Sequence, residues 1–286
     1  MAQDIAKWEG IESAWCPGCG NFGILKAMKE ALPALGLEPW QVLMVSGIGQ
    51  AGKFPHYIAC NVFNSLHGRA LPVAVAAKCA NRELTVLAIG GDGDMYGEGG
   101  NHLIHTIRRN PDLTCVVHNN QIYGLTKGQA SPTSDRGMKT KLTPEGVINA
   151  PLNALALALS QRASFVARGF AGDFKQLSSL LQQAIRHRGF SLVEVLQPCP
   201  TFNRLNTFKW YRERVYKLEE DGHDPSELAA AMERAWQWGE RIPTGVFFRE
   251  ERPVFEDGQP ALRAGPPLYQ RAIDPKAAAK ELDSFR

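Results

Sequence analysis

Five short apolar runs punctuate the chain: QVLMVS (41–46), LTVLAIG (84–90), LTCVVHN (113–119), SFVARGF (164–170) and FSLVEVLQ (190–197). Each is apolar on consecutive positions rather than on every second one, the pattern of strands buried on both faces of a sheet. Longer stretches of helical period separate them, at 22–32, 66–80, 99–109, 145–160 and 173–187. This alternation predicts an α/β fold, a mostly parallel sheet with helices on both faces. Ligands of such a sheet sit beyond the carboxyl ends of its strands. The Gly-rich SGIGQAGK follows the first run, GGDGD the second and NNQIYGL the third, so three strand ends converge on one candidate site.

After Phe208 the pattern changes, which divides the chain into residues 1–208 and a helical and extended segment, 209–286, expected to pack on that domain or on a partner. In GHDPSELAAAMERAWQWGE, Asp224 stands at an N-cap position, Pro225 at the first helical position and Glu227 three residues on, signalling a helix through about Gly239. Beyond Glu250 the chain is rich in proline and charge, with isolated anchors such as Val254, Phe255, Leu268 and Tyr269. Such a tail either wanders or wraps a partner. There is no internal repeat.

Composition narrows the class. The 286 residues are 44% hydrophobic, which supports a real core. No apolar stretch approaches bilayer length and no secretory pattern opens the chain, so the expected setting is the cytoplasm. The net charge of +3 is uneven: residues 1–208 carry 19 Lys and Arg against 14 Asp and Glu, and the remainder 13 against 15. A basic first part suits an anionic ligand, yet the dense basic clusters with interleaved aromatics of a nucleic-acid groove are missing. Six cysteines in a reducing compartment argue against a disulfide framework and for a division between ligands and core residues.

The central signal is GGDGDMYGEGGNHLIHTIRRNPDLTCVVHNNQIYGL. A glycine-flanked aspartate at a strand end lets backbone approach a phosphate closely and leaves the carboxylate for a hard cation. Magnesium takes one or two side-chain oxygens and leaves its other positions to water and phosphate. A βαβ unit brings Asn119 and Asn120 beside Asp92. GGDGD or NN alone is more readily a tight turn; both together, each behind a strand, point to a cofactor. The arrangement resembles the thiamine-diphosphate motif. That resemblance implies that Asp92, Asn120 and the Ile122 carbonyl hold the cation, with Gly93 and Asp94 along the diphosphate.

CPGC at residues 16–19 serves equally for zinc, a redox dithiol or an iron–sulfur cluster. The dithiol is disfavoured, because the residues before Cys16 read as an irregular lead-in rather than a strand. Together with SGIG, LHGRALPVAVAAK, NNQIYGLTKGQASPTS and LVEVLQPCPTFN, in order from Trp15 to Asn203, the chain resembles the beta subunit of a two-subunit 2-oxoacid:ferredoxin oxidoreductase. The resemblance implies a thiamine-diphosphate-binding fold with Mg2+ and a 4Fe-4S cluster in this subunit. It also implies an alpha subunit that completes the active site, a heterotetramer of two alpha and two beta subunits, and ferredoxin as electron partner. The implied reaction is coenzyme-A-dependent oxidative decarboxylation of a 2-oxoacid, which reduced ferredoxin would reverse to fix CO2. 2-Oxoglutarate is favoured over pyruvate. A thiamine-dependent decarboxylase with a zinc or vestigial cysteine site, and a non-catalytic partner-binding subunit, stay open.

Carried over residue by residue, Cys16, Cys19 and Cys199 are cluster ligands. Many family members have a further cysteine directly after SGIG, where this chain has Gln50, a poor ligand for a thiolate-preferring cluster. Cys60 is the expected substitute, and Cys79 and Cys115 read as core. Gly47, Ile48, Gly49 and Gly91 are expected at the cofactor from the first two strand ends. Tyr123, Gly124, Leu125 and Thr126 are expected there from the third. His67 is expected beside it as a proton-transfer group, and Lys53 and Lys127 as cations for substrate carboxylates. His102 and His105 read as helix surface. The family's aminopyrimidine-activating glutamate belongs to another domain, so the chain is expected to be half an active site.

Overall fold

A computed structural model describes residues 5–272 and 274–285. One sheet carries, from edge to edge, β2 (Asn61–Asn64), β1 (Val42–Ser46), β3 (Thr85–Gly91), β4 (Leu113–Asn119), β8 (Phe190–Leu196), β7 (Phe165–Phe170), β10 (Ile242–Arg249) and β9 (Val215–Lys217). From β2 to β7 every neighbour is parallel. β10 runs antiparallel to β7, and β9 parallel to β10. The five strands read as apolar runs form the interior, and β4 and β8 are buried at every position.

Helices cover both faces, as the continuous apolar runs require. On one side α1 (Asn21–Ala34) sends Ile24 and Leu32 to a core it shares with Leu177 and Leu181 of a helix over Phe174–Arg186. On the other, α2 (Ala70–Ala80), α3 (Gly100–Arg109), α4 (Ala154–Ser160) and a helix over Leu228–Ala235 close a second core around Leu71, Leu103, Leu155 and Ala231. No helix among the described residues is long and apolar enough to cross a membrane.

Three helices are shorter than their sequence period predicts, each for a local reason. Leu66, His67 and Gly68 form a turn, with Gly68 at φ +71°, so α2 starts at Ala70. The segment 145–153 stays irregular, and α4 begins where the Asn153 side chain accepts the Ala156 N–H at 3.0 Å. Asp224 binds the N–H and hydroxyl of Ser226 instead of capping a helix, which delays the next helix to Leu228 and leaves the expected capping box unformed.

Beyond residue 208, β9 and β10 extend the same sheet. Part of the Pro-rich tail then folds back: the Arg82 guanidinium donates to the carbonyls of Leu262 at 2.6 Å and Gly265 at 2.7 Å. The carboxyl ends of β1, β3, β4 and β8 share one edge, and the candidate site lies there.

Candidate active site

The turn after β3 is built around Asp92, which is 2% exposed. Its Oδ2 accepts the Ser131 hydroxyl at 2.5 Å and stands 2.6 Å from Thr133 Oγ1. Thr133 Oγ1 is also 2.8 Å from Asn119 Oδ1. One hydroxyl proton serves one acceptor at a time, so Thr133 Oγ1 is shared between Asp92 and Asn119. Burial pushes the Asp92 carboxyl up to about 6, against the Ser131 and Thr133 hydroxyls and the N–H groups of Asp92 and Gly93 that pull it down. Below that value a proton and a cation would compete for the carboxylate.

The adjacent asparagines have separate tasks. Asn119 is consumed by the fold: its amide donates to Glu194 Oε1 at 3.1 Å and its carbonyl oxygen accepts the Gln121 N–H. Asn120 is half-buried, and its Oδ1 accepts the Ile122 N–H at 3.0 Å. A short ribbon, β5 (Ile122–Tyr123) against β6 (Gln129–Ala130), carries Ser131 and Thr133 back to Asp92. Those two hydroxyls were not legible from spacing, because only the ribbon brings them to the site.

Asp94 ties two loops together. Its Oδ1 accepts the N–H groups of Ile48 at 3.1 Å and Gly68 at 2.8 Å and lies 2.6 Å from His67 Nδ1. Its side chain is 1% exposed, so it faces the loops rather than an open cleft. A Cβ on Gly47 would fall 1.9 Å from Asp94 Oδ2, which is why that position is glycine. An ionised Asp94 only accepts, so His67 Nδ1 is the donor of this contact, and Nε2 is the other ring nitrogen of a side chain 38% exposed.

Tyr123 closes the other wall. Its ring occupies the space a Gly93 Cβ would need, 2.1 Å away, and lies 6.3 Å from the His67 ring. Gly124 follows half-buried, while Leu125, Thr126 and Lys127 form an exposed turn with Lys127 at φ +74°. Lys53 is half-buried in the 3-10 helix Ala51–Tyr57 that follows the SGIG loop. Gly91, the last residue of β3, precedes Asp92, and Gly49 takes φ +120° in the SGIG loop.

Three cysteines gather beside this edge. The Cys19 N–H donates to the Cys16 carbonyl at 3.1 Å and the Gly20 N–H to Pro198 at 3.0 Å, which locks CPGC onto the QPC turn after β8. Burial pushes the Cys19 thiol up to about 11, the Asn21 N–H pulls it down, and Cys199 and Cys16 add to the rise. Cys60 is not brought to them. It precedes β2 at the amino end of the strand, beside Met44 and packed on the α1 core. Burial pushes its thiol up to about 12 against the Met44 N–H, with no contribution from another cysteine. Among the described residues no three His, Cys, Asp or Glu side chains form a closed metal-ligand set as they stand.

Under the site lies a buried polar chain that sequence reading missed. Arg168 Nε donates to Glu194 Oε2 at 2.8 Å, and Glu194 holds Asn119. Both side chains line a cavity of about 120 Å3 with Asn119, Gln121, Asp135 and Trp238. Arg and Glu within β7 and β8 read only as interruptions of apolar runs.

Residues 45–195 match the thiamine pyrophosphate enzyme C-terminal TPP-binding domain, and residues 199–264 the C-terminal segment of the pyruvate ferredoxin oxidoreductase beta subunit. The 2-oxoacid:ferredoxin oxidoreductase subunit beta of Saccharolobus solfataricus is 49% identical over 83% of this chain and 82% of its own length. The chain belongs to the 2-oxoacid:ferredoxin oxidoreductases, as a beta subunit. The family includes the 2-oxoglutarate oxidoreductase subunit KorB of Mycobacterium tuberculosis, 47% identical over 67% of this chain and 52% of that relative. A solved 2-oxoglutarate:ferredoxin oxidoreductase from Magnetococcus marinus, with 2-oxoglutarate, coenzyme A and succinyl-CoA bound, superposes with a TM-score of 0.90. That match is 37% identical and covers 98% of this chain and 95% of the other. The fold and family expected from the motifs are thereby met.

Proposed function

We propose that this subunit binds thiamine diphosphate and Mg2+ and, with an alpha subunit, oxidises 2-oxoglutarate with coenzyme A and ferredoxin. The observation that carries the reading is the placement of Asp92 and Asn120 directly after the neighbouring strands β3 and β4, while Asn119 is spent on Glu194. A single carboxylate, one amide oxygen and the Ile122 carbonyl match a cation that keeps positions for water and phosphate. Gly47, Gly49 and Gly93 let backbone come close to the diphosphate, in loops pinned by Asp94 and Tyr123. When bound, thiamine diphosphate supplies the electron sink for decarboxylation and an iron–sulfur cluster a one-electron outlet.

The chain's own groups then have definable work. Asp94 holds His67 so that Nε2 accepts or returns a proton at the rim. Lys53, half-buried, and Lys127, exposed, place positive charge where a dicarboxylate substrate would bring two negative ones. Cys16, Cys19 and Cys199 would hold the cluster beside the site. The alpha subunit would supply the groups for the aminopyrimidine in a heterotetramer of two alpha and two beta subunits in the cytoplasm. With strongly reduced ferredoxin the same assembly would run towards carboxylation.

Titration calorimetry of the purified beta subunit with and without its alpha subunit tests this. Thiamine diphosphate is expected to bind only with Mg2+, and the complex to prefer 2-oxoglutarate to pyruvate in kcat/KM. Absence of Mg2+-dependent binding in both preparations would overturn the cofactor reading, and zinc in place of iron would overturn the redox reading.

A further inference from the structure

Asn119, the first of the paired asparagines, is gripped from both sides. Its Nδ2 donates to Glu194 Oε1 at 3.1 Å, while its Oδ1 accepts the Gln121 N–H at 3.2 Å and lies 2.8 Å from Thr133 Oγ1. One side asks for a donor and the other for an acceptor, so the amide has a single usable orientation. Gln121 is left-handed at φ 59° and 1% exposed, a conformation that a residue with a side chain keeps only when its surroundings hold it. The turn held in this way carries Asn120 before Gln121 and Ile122 after it. Thr133 Oγ1 also reaches Asp92 Oδ2 at 2.6 Å. The three residues assigned to the cation are thus all tied to Asn119.

What fixes Asn119 in turn is a buried charge pair. Glu194 receives the Asn119 amide and, at 3.3 Å, the Tyr96 hydroxyl on Oε1, and Arg168 Nε at 2.8 Å on Oε2. The Glu194 and Arg168 side chains are 2% and 5% exposed. As a device for stability the pair is poorly made. Arg168 Nη1 is buried without a partner, and a buried ion pair is often no more stabilising than apolar side chains of similar volume. Its link to the site is the Asn119 amide.

We infer that Glu194 is a positioning residue of the cation site. Its carboxylate, neutralised by Arg168, anchors the Asn119 amide. Asn119 Oδ1 then holds both the turn that presents Asn120 with the Ile122 carbonyl and the Thr133 hydroxyl that meets Asp92. This rests on the cation reading proposed above, and Glu194 acts on the cation only through Asn119.

The test uses the complex with its alpha subunit and compares two double variants that both lack the charge pair. In Arg168→Met with Glu194→Met the Asn119 amide loses its acceptor, and titration calorimetry is expected to show about a 10–100-fold loss of Mg2+-dependent thiamine diphosphate affinity. Arg168→Met with Glu194→Gln offers an amide oxygen again and is expected to recover most of that loss, while the two cofactor-free complexes melt alike. Asn119→Ala, which keeps the charge pair, is expected to match the first double variant, and all three substitutions together to cost no more than either. Without cofactor, hydrogen exchange at the Gln121 amide is expected to quicken in the first double variant and to slow again in the second. Native affinity in Asn119→Ala or in the first double variant, equal losses in the two double variants, or losses that add to that of Asn119→Ala would overturn the Glu194 assignment while leaving the cation reading standing. Absence of Mg2+-dependent binding in the native complex would remove both.

Discussion

The two ends of the parallel sheet are built on opposite terms. At the amino ends, Asn110 takes a left-handed conformation at φ 54° and its side chain accepts from the Ser164 hydroxyl at 2.7 Å and the Phe190 N–H at 2.9 Å. It also donates to Pro253 at 3.1 Å. Nearby, Lys78 pairs with Asp112 at 2.8 Å and the Asp112 N–H meets the Glu256 carboxylate. At the carboxyl ends the demands go unmet. The four buried side-chain atoms without a partner, among the described residues, are Gln50 Oε1, Asp94 Oδ2, His118 Nε2 and Arg168 Nη1. The first two follow β1 and β3, the third is on the last but one residue of β4, and the fourth is on the guanidinium whose Nε holds Glu194. Burial drops His118 to about 3, so it stays neutral with Nδ1 on Asn21. One end is optimised for folding, and the other holds polar groups in reserve for what it binds.

Substitutions at the two ends are expected to divide accordingly. Asp92→Ala has the largest effect: calorimetry is expected to show at least a roughly hundredfold loss of Mg2+-dependent thiamine diphosphate affinity, about 3 kcal/mol. The cofactor-free chain is expected to melt no lower than the native one, since the lost carboxylate was buried at a cost. Equal losses in binding and stability would erase the contrast. Asn110→Ala should do the reverse, costing about 2–3 kcal/mol in urea unfolding through its bonds and its left-handed turn, with cofactor affinity within about twofold.

Acidity offers a finer cut. Asp92 titrates higher in the folded chain than its ordinary value of 3.8. The metal-free fold therefore holds this proton more tightly than the unfolded chain does, and the stability it contributes at low pH is lost as pH rises from about 4 to about 6. Cation binding releases the proton, so Mg2+ affinity is expected to rise by up to about tenfold per pH unit below 6 and to level off above it. A flat affinity profile between pH 5 and 7 would mean that the carboxylate is not a ligand. The smallest effect is expected from Lys53→Met, a several-fold rise in KM for 2-oxoglutarate with kcat within about twofold. An unchanged KM would remove Lys53 from the substrate side.

The same contrast explains what could be read from sequence. The interior strands announced themselves because burial on both faces leaves no polar positions, and β4 matches its apolar run residue for residue. β2 left no such mark, since all four of its residues are exposed at the sheet edge. β10 is interrupted by Pro243 and Gly245, which read as loop. Asp92 and Asn120 were legible because glycines and strand ends frame them. Ser131, Thr133, Glu194 and Arg168 were not, because contact between strands far apart in sequence gives them their roles. Cys60 was drawn in by residue type alone, and pairing β2 in register with β1 sets it at the wrong end of the strand for the other cysteines.

The placement of β10 has a consequence for synthesis. The free edge of β7 is covered by a strand that begins roughly seventy residues later in the chain. At about 5–20 residues per second, a ribosome exposes that edge for on the order of 4–14 s before its partner exists. One edge of a sheet whose six parallel strands are already made therefore waits, unfinished and adhesive, for β10.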